Sequence, residues 1–425
     1  MNNFFEINSK LKQLTQAIEL ECVDQFKEIE QIEQHNTNKV LHAFLKNKVS
    51  SAHFIETTGY GYDDIGRTII DNIFSQVFNT EDALVRCNFM SGTHTISVAL
   101  FAILKPNDTI LSITGTPYDT VQTIFGLNCK NKSTKNLQNC GINIKIIDLL
   151  PNAQFNFKLI KDQISKNTIK LIYIQRSRGY ETRPSIKSND IEQLVNFTKT
   201  LKNRPLVFVD NCYGEFVEKN EPTSVGADLI CGSLIKNPGG GIATTGGYIA
   251  GKAELIKQCA IELSAPGLGK KVGCNFNQNR NILMGLFLAP HVVSNALKTS
   301  VFVRKLFLNL NFKVFPTVNT LPADIVSTIT LENPTCLLEF CKNIQANSPI
   351  NSFLTPTPWL QPGLNSEIVM AAGNFTEGSS IELSADAPLK KPYNIFVQGG
   401  LTFFSAKTCL LNSVQKLIDK KLINL

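Results

Sequence analysis

The sequence predicts an α/β protein: a large domain on a mostly parallel sheet with helices on both faces, then a smaller α+β C-terminal domain. Three observations carry this reading. Between residues 51 and 285, short apolar runs suited to buried strands alternate with stretches of helical periodicity. An amphipathic stretch precedes them and fits no sheet, and a long helical pattern follows them and opens onto a second set of strands and helices. The expected division is an N-terminal helical arm over 1–50, the large domain over 51–285, and an interdomain helix with the small domain over 286–425.

Taken in order, residues 8–46 place Leu11, Leu14, Ile18, Cys22, Phe26 and Ile29 at three- and four-residue steps, the pattern of an amphipathic helix. Residues 81–90 read as a strand approach, 91–95 as a turn, and 96–104 as a helix that stops at Lys105-Pro-Asn-Asp108. Ser91, Gly92 and Thr93 therefore stand at a helix N-terminus, where free N–H groups and the helix dipole favour phosphate. An ordinary Ser/Thr cap is the other reading. Strands are expected at 109–113, 171–175, 205–210 and along 227–235, with a helix over 188–203. A helical pattern over 279–308, interrupted near Pro290, leads to strands at 311–315 and 325–331 and helices at 336–346 and 407–422.

Two residues bear on chemistry. Asp210 ends the apolar run Pro205-Leu-Val-Phe-Val-Asp210, and Lys236 lies in Ser233-Leu-Ile-Lys-Asn-Pro-Gly-Gly-Gly241. Pyridoxal phosphate chemistry needs both kinds of group, a lysine to join the aldehyde and a carboxylate to keep the pyridine nitrogen protonated. A lysine must be neutral to attack, so a sheltered one suits the task better than a solvated one with pKa about 10.4. Singly, a strand-end Asp is also a turn former and a lysine also a surface charge. The glycines after Lys236 are not a nucleotide-binding loop, because the lysine precedes them; they suit close backbone passage beside a cofactor or a neighbouring subunit.

Longer motifs are more specific. Gly59-Tyr-Gly-Tyr-Asp-Asp-Ile-Gly-Arg67, Ser91-Gly-Thr-His94, Thr114-Gly-Thr-Pro-Tyr-Asp-Thr120, Gln175-Arg-Ser-Arg-Gly-Tyr180, Val209-Asp-Asn-Cys-Tyr-Gly-Glu-Phe216 and the Lys236 segment follow one another along the chain. Ala265-Pro-Gly-Leu-Gly-Lys270, Ser380-Ile-Glu-Leu-Ser-Ala-Asp386 and Gln398-Gly-Gly-Leu-Thr402 continue the series. Together they resemble the methionine gamma-lyase-related family, also labelled aluminium resistance proteins, over nearly everything after residue 50. The resemblance implies a fold type I pyridoxal phosphate enzyme, related to the cystathionine and methionine lyases, acting on an amino acid as a small-molecule substrate.

At matching positions the resemblance implies roles. Lys236 would form the Schiff base with pyridoxal 5'-phosphate, Asp210 would partner the pyridine nitrogen, Ser91, Gly92 and Thr93 would hold the phosphate, and Ser233 would join the cofactor site. Tyr118 resembles the tyrosine that stacks on the cofactor ring and acts on a leaving group; packing over a turn after Pro117 is its bland reading. Tyr62 and Arg67, and less securely Tyr60, are similar to residues that reach the phosphate from a neighbouring subunit, which implies a homo-oligomer, dimer or tetramer, with shared active sites. The N-terminal arm would then cover a partner. His94 is either a phosphate donor or a polar packing residue. Tyr213, Glu215 and Glu218 follow Asp210 and are candidates to line the site, with Glu218 expected to face solvent. Arg176, Arg178 and Arg183 flank a strand end where ligands collect, although each is individually expected to be a surface charge. One departure stands out: relatives carry Pro-Leu-Arg before Pro-Tyr, whereas this chain has Ala387-Pro-Leu-Lys-Lys-Pro-Tyr393. If that position meets a substrate carboxylate, Lys390 keeps the charge and loses the bidentate fork.

Composition narrows the remaining classes. The net charge of +7 is dispersed, with no dense basic run, so nucleic-acid binding is not indicated. No stretch reaches the uninterrupted apolar length of a membrane span, and the N-terminus lacks a signal pattern, which makes cytoplasmic residence the expectation. Eleven cysteines without a Cys-x-x-Cys pair are expected as reduced thiols, Cys212 beside Asp210 being the one to watch, and no metal site is expected. An aminotransferase, another pyridoxal phosphate reaction, or a non-catalytic cofactor-binding stress protein are the alternatives to a carbon–sulfur lyase.

Overall fold

The computed structural model describes residues 4–127, 134–360 and 366–425. The chain opens with α1 (Ser9–Lys46), capped by the Asn8 side chain, which accepts from Leu11 N. Leu11, Ile18, Cys22 and Ile29 are fully buried on the stripe that the periodicity predicts. This helix lies along α8, described below, within the same chain.

The large sheet is assembled from α2 (Ile65–Val77), β1 (Asp82–Arg86), α3 (Gly92–Ile103), β2 (Thr109–Ser112), α4 (Asp119–Phe125), β3 (Asn143–Ile146), α5 (Phe157–Lys166), β4 (Ile169–Gln175), α6 (Ser188–Lys199), β5 (Leu206–Asp210), β6 (Leu229–Ser233), β7 (Gly247–Gly251) and α7 (Ala253–Leu263). Its seven strands run in the order β1-β7-β6-β5-β4-β2-β3, with only β7 antiparallel to its neighbours. The expected mostly parallel sheet is therefore present. Two apolar cores, one on each face, explain why its central strands are buried throughout: Phe74, Tyr248 and Val209 belong to one, and Leu100, Tyr173 and Phe208 to the other.

The spine is α8 (Asn279–Asn309), which runs without a break through Pro290. The expected interruption does not occur, because tertiary packing outweighs the one backbone hydrogen bond that proline removes. Ala289, Pro290, Val292 and Val293 are all buried. The helix is long and apolar enough to cross a membrane by length and composition, but most of it is buried against α1, α2 and the elements that follow it.

Beyond it lie β8 (Lys313–Phe315), β9 (Val326–Thr330), α9 (Pro334–Ala346), β10 (Ile368–Ala371), β11 (Ser384–Pro388), β12 (Asn394–Gln398) and α10 (Phe403–Asp419). They form an antiparallel sheet in the order β10-β11-β12-β9-β8. Its register sets Asp386 opposite Phe396, Ser384 opposite Gln398, and Val326 and Thr328 opposite Gln398 and Phe396, so these six residues share one face. Ala385, Val397 and Ile329 point to the other face and join the core under α9 and α10.

Candidate active site

The carboxyl ends of the parallel strands meet the small sheet at a cavity of about 240 Å³. Its walls include Ser91, Gly92 and Thr93 at the start of α3, Asp210 at the end of β5, Ser233 and Lys236 after β6, and Tyr118 at the N-cap of α4. Ligands collect at such strand ends in open α/β sheets, because successive loops there diverge and leave a crevice.

One wall is an anion site. Helix α3 begins at Gly92, earlier than the pattern at 96–104 suggests, because Ser91 caps it: its Oγ accepts from His94 N at 3.1 Å. Thr95 N bonds the Ser91 carbonyl, so the Gly92 and Thr93 N–H groups remain without intrahelical acceptors and point along the positive end of the dipole. The Thr93 hydroxyl shares a 2.8 Å hydrogen bond with Thr120, which aligns it beside these groups. A Cβ at Gly92 would come within 3.1 Å of Cys212 Sγ, so glycine keeps this turn close to the cavity floor. His94 lies beside the cap, where its Nδ1 accepts from Met90 N and burial lowers its pKa. It is a neutral polar packing residue rather than a cavity wall.

The opposite side carries the reactive pair. Asp210 is buried, its Oδ1 accepts from Cys212 N at 3.1 Å, and burial raises its pKa against the pull of Lys236. The Lys236 amine lies 4.0 Å from the centre of the Tyr213 ring. Burial works against its charge, but Cys212, Tyr213 and Asp210 outweigh that effect and hold the ammonium above its ordinary range. Shelter by apolar and glycine residues is thus opposed by the acidic groups around the amine, the Asp210 carboxyl among them. Tyr213 adopts φ 70°, which turns its ring under the lysine.

The turn bearing Lys236 is fixed from behind. Gly240 and Gly241 have φ of 54° and 71°, and a Cβ at Gly240 would meet the Gly285 carbonyl on α8 at 2.4 Å, while one at Gly241 would meet Leu401 at 2.4 Å. These glycines permit close passage to α8 and to the small domain of the same chain.

Tyr118 closes the top. Its N–H donates to Gln175 Oε1 at 2.6 Å, and its ring stands 5.7 Å from that of Tyr180. Gly179, at φ 58°, lets the loop rest on that ring: a Cβ would be 2.9 Å from Tyr118 Cδ2. Burial raises the Tyr118 pKa, so it is a neutral phenol.

Several expectations change. Arg67 is buried, and its guanidinium donates to the carbonyls of Gly61, Gly273 and Lys271. These bonds brace the 59–67 loop against the 271–273 segment. Tyr60 and Tyr62, stacked at 5.3 Å, are the exposed groups of that loop, 68% and 64% accessible. Arg176 is not a surface charge: it is fully buried and bonds Glu218, Asn211 and the Gly214 carbonyl. Glu218 consequently pairs with Arg176 and Ser188 instead of facing solvent. Arg178 is buried against Asp324 at 3.7 Å and the Phe315 ring, and Arg183 pairs with Glu181. None of the three lines the main cavity. Glu215 lies behind it, accepting from Tyr248 at 2.9 Å, and burial raises its pKa to about 8. Lys390 is exposed at a side pocket shared with Tyr118, Gln175 and Tyr180.

Motif reasoning missed the ceiling. Val326, Phe396, Gln398 and Gly378 come from the small domain, Gln175 from the end of β4, Thr120 from the first turn of α4, and Tyr180 from the loop after β4. The available signals were the Thr114–Thr120, Gln175–Tyr180 and Gln398–Thr402 motifs, which contain four of these residues, and the Ser380–Asp386 motif, whose polar residues alternate on β11.

The sequence pattern of the methionine gamma-lyase family matches residues 11–418. The chain belongs to that family. It is 43% identical to the uncharacterized protein YnbB of Bacillus subtilis (strain 168) over 413 residues, 97% of this chain and 98% of that protein. A carbon–sulfur lyase involved in aluminum resistance from Clostridium novyi NT superposes with a TM-score of 0.93 at 42% identity, over 97% of this chain and 96% of that one. The fold extends to the pyridoxal-5'-phosphate dependent protein YhfS of Escherichia coli, with a TM-score of 0.61 at 14% identity over 91% and 97% of the two chains. Family membership makes this a carbon–sulfur lyase-like enzyme of fold type I, and implies pyridoxal phosphate as its cofactor. The donor set fits that group: N–H groups for a phosphate, a carboxylate for a ring nitrogen and an amine for an aldehyde line one cavity.

Proposed function

We propose that the chain catalyses β- or γ-elimination from a sulfur-containing amino acid, releasing a thiol, ammonia and a keto acid. The carrying observation is that Lys236, Asp210, the α3 N-terminus and Tyr118 share one cavity. Ser91, Gly92, Thr93 and Ser233 would hold the phosphate end of pyridoxal phosphate, Asp210 the ring nitrogen, and Lys236 the aldehyde. When bound, the cofactor supplies an electron sink for a carbanion at the substrate Cα. Lys236 Nζ is placed to take the Cα proton. Asp210, facing the ring nitrogen, would favour its protonated form. Tyr118, a neutral phenol at the mouth, is placed to serve the departing sulfur.

The 59–67 loop supports a homo-oligomeric reading, since Tyr62 presents its ring outward on a braced loop and would complete a neighbour's site. Lys236→Ala tests the assignment: borohydride should then trap no pyridoxyl label on the chain, and keto acid release should stop. Retained turnover would sink it. Ammonia together with keto acid, without amino transfer to an acceptor, separates the lyase from an aminotransferase.

A further inference from the structure

The reactive amine rests on an aromatic face that the proposed chemistry has not used. Lys236 Nζ stands 4.0 Å from the centre of the Tyr213 ring. That is well inside the roughly 6 Å over which a cation and an aromatic face attract. Among the described residues the amine makes no hydrogen bond and no ion pair, so the contact with the ring is not the by-product of a salt bridge.

Holding the ring there strains the backbone. Tyr213 and Phe216, two aromatic residues in one turn, have φ of 70° and 62°, a region that bulky side chains avoid and that persists only where the surroundings impose it. Four fully or almost fully buried side chains impose it here. Arg176 Nη1 donates to the Gly214 carbonyl at 2.8 Å, Glu221 Oε1 accepts from Phe216 N at 2.9 Å, and Asn36 of α1 donates to the carbonyls of Phe216 and Glu218 at 3.2 and 3.1 Å. The fourth, Asn237, follows Lys236 in the chain and donates to the Glu215 carbonyl at 3.0 Å. The turn that carries the ring and the turn that carries the amine are therefore fastened to each other. We infer that Tyr213 is a catalytic residue whose ring face receives the Lys236 ammonium formed when the lysine takes the substrate's Cα proton.

The inference rests on the lyase reading. In that step the Cα–H bond breaks, an N–H bond forms at Lys236 Nζ, and the electron pair stays with the substrate. A neutral amine becomes an ammonium, and nothing is oxidised or reduced. The ring attracts the ammonium and not the amine, so its contribution arises as the proton moves, which is the condition for lowering a barrier and not merely a binding energy. A ring face also has no preferred hydrogen-bond direction. All three N–H groups of the ammonium stay free to hand a proton on, whereas a carboxylate in contact would pin one of them.

Besides Tyr213, the titratable groups facing the amine are Asp210 and Cys212 at and after the end of β5 and Tyr118 above it, with Glu215 behind the floor and Asp386 in the ceiling also within reach of its charge. Burial raises the Cys212 thiol and the Tyr118 and Tyr213 phenols, so all three are neutral. The Tyr213 hydroxyl thus brings no charge to the pair, and the face of its ring is what meets the amine. Asn36, Arg176, Glu221 and Asn237 are positioning residues that act through Tyr213.

The test grades the ring while nearly keeping its size. Tyr213 is replaced by phenylalanine carrying zero, one, two or three ring fluorines, each of which withdraws electron density from the face. In cofactor-free protein, acetylation of Lys236 by acetic anhydride at about pH 9, read by peptide mapping against the exposed Lys313, should accelerate stepwise to about tenfold, because only neutral amine reacts. In the holoenzyme the same series should lower kcat for keto acid release from cysteine and homocysteine thioethers by about the same factor, with KM unchanged and a rising isotope effect for α-deuterated substrate. Tyr213→Phe, which keeps the face and loses the hydroxyl, should stay within about twofold of wild type in both measurements. Loosened packing would not follow the fluorine count, so rates that ignore it overturn the inference, as does a loss in Tyr213→Phe equal to that of the trifluorinated ring. If wild type releases no keto acid from any thioether, the lyase reading fails, and the acetylation series alone decides whether the ring holds the ammonium.

Discussion

The two walls of the cavity are built on different terms. On the large-domain side, the polar groups are held by neighbours in their own turns: Ser91 caps α3, Asp210 takes the Cys212 N–H, and Gly239 to Gly241 lock the lysine turn onto α8. On the small-domain side, the cavity-facing strands bury Ser384 Oγ, Thr328 Oγ1 and Asp386 Oδ1 without a hydrogen-bond partner among the described residues. Buried polar groups are normally satisfied, because leaving one unpaired costs about 1–3 kcal/mol. The contrast teaches a division of labour. The floor is rigid and suited to one invariant ligand, while the ceiling retains bonding capacity for a proton or a varying substrate group.

The severest way to break the comparison is to remove the floor's reactive group. Lys236→Ala should abolish keto acid release altogether, measured with saturating cofactor. Asp210→Asn should follow, with kcat reduced about a hundred- to thousandfold, the usual loss when one preorganised electrostatic partner is removed. Cofactor retention on gel filtration should weaken with it. A ceiling change such as Gln398→Ala should instead move KM among thioethers of different length and leave the cofactor bound; equal loss of cofactor in both variants would erase the distinction.

Smaller effects probe the rigidity beneath the floor. Gly232→Ala would place a Cβ 2.3 Å from Glu215 Oε1 and 2.6 Å from Tyr248 Cε1, and should cost about 1–3 kcal/mol of stability in chemical denaturation. Glu215 adds a pH signature. Its folded pKa, raised to about 8, lies above that of an unfolded glutamate, so its contribution is fully present below about pH 4 and is lost as pH rises through 8. Tm should fall across that window, and Glu215→Gln should flatten the fall; an identical slope would show that another group is responsible. The smallest change is expected at the rim, where Lys390 is exposed beside the side pocket. Lys390→Arg should alter KM by less than about tenfold, in keeping with a solvated charge.

The contrast between the walls is also a contrast in legibility. Asp210 and Lys236 each end a run of apolar residues that already specifies a buried strand, and Ser91 opens an apolar helix, so a few neighbours suffice to reveal them. β10, β11 and β12 are harder to read, although β10 and β12 do carry short apolar runs. They are four or five residues long, and β11 reads Ser-Ala-Asp-Ala-Pro, whose alternation is of small and polar residues rather than of strand formers. Arg176 and Arg178 misled for the opposite reason: arginine is usually exposed, and only distant partners such as Glu218 and Asp324 make their burial tolerable.

By itself the sequence determined the helical arm, the mostly parallel sheet, and the lysine, aspartate and helix N-terminus that face its carboxyl edge. These follow from periodicity and from backbone geometry within a turn or two of each residue. Tertiary structure alone decided that Pro290 stays inside a continuous helix, that Arg67 is spent on three carbonyls, and that Asp386 meets Tyr180 across the domain boundary. Each of those outcomes is a contact between residues far apart in the chain, and its energy depends on burial and partner geometry that no local pattern encodes.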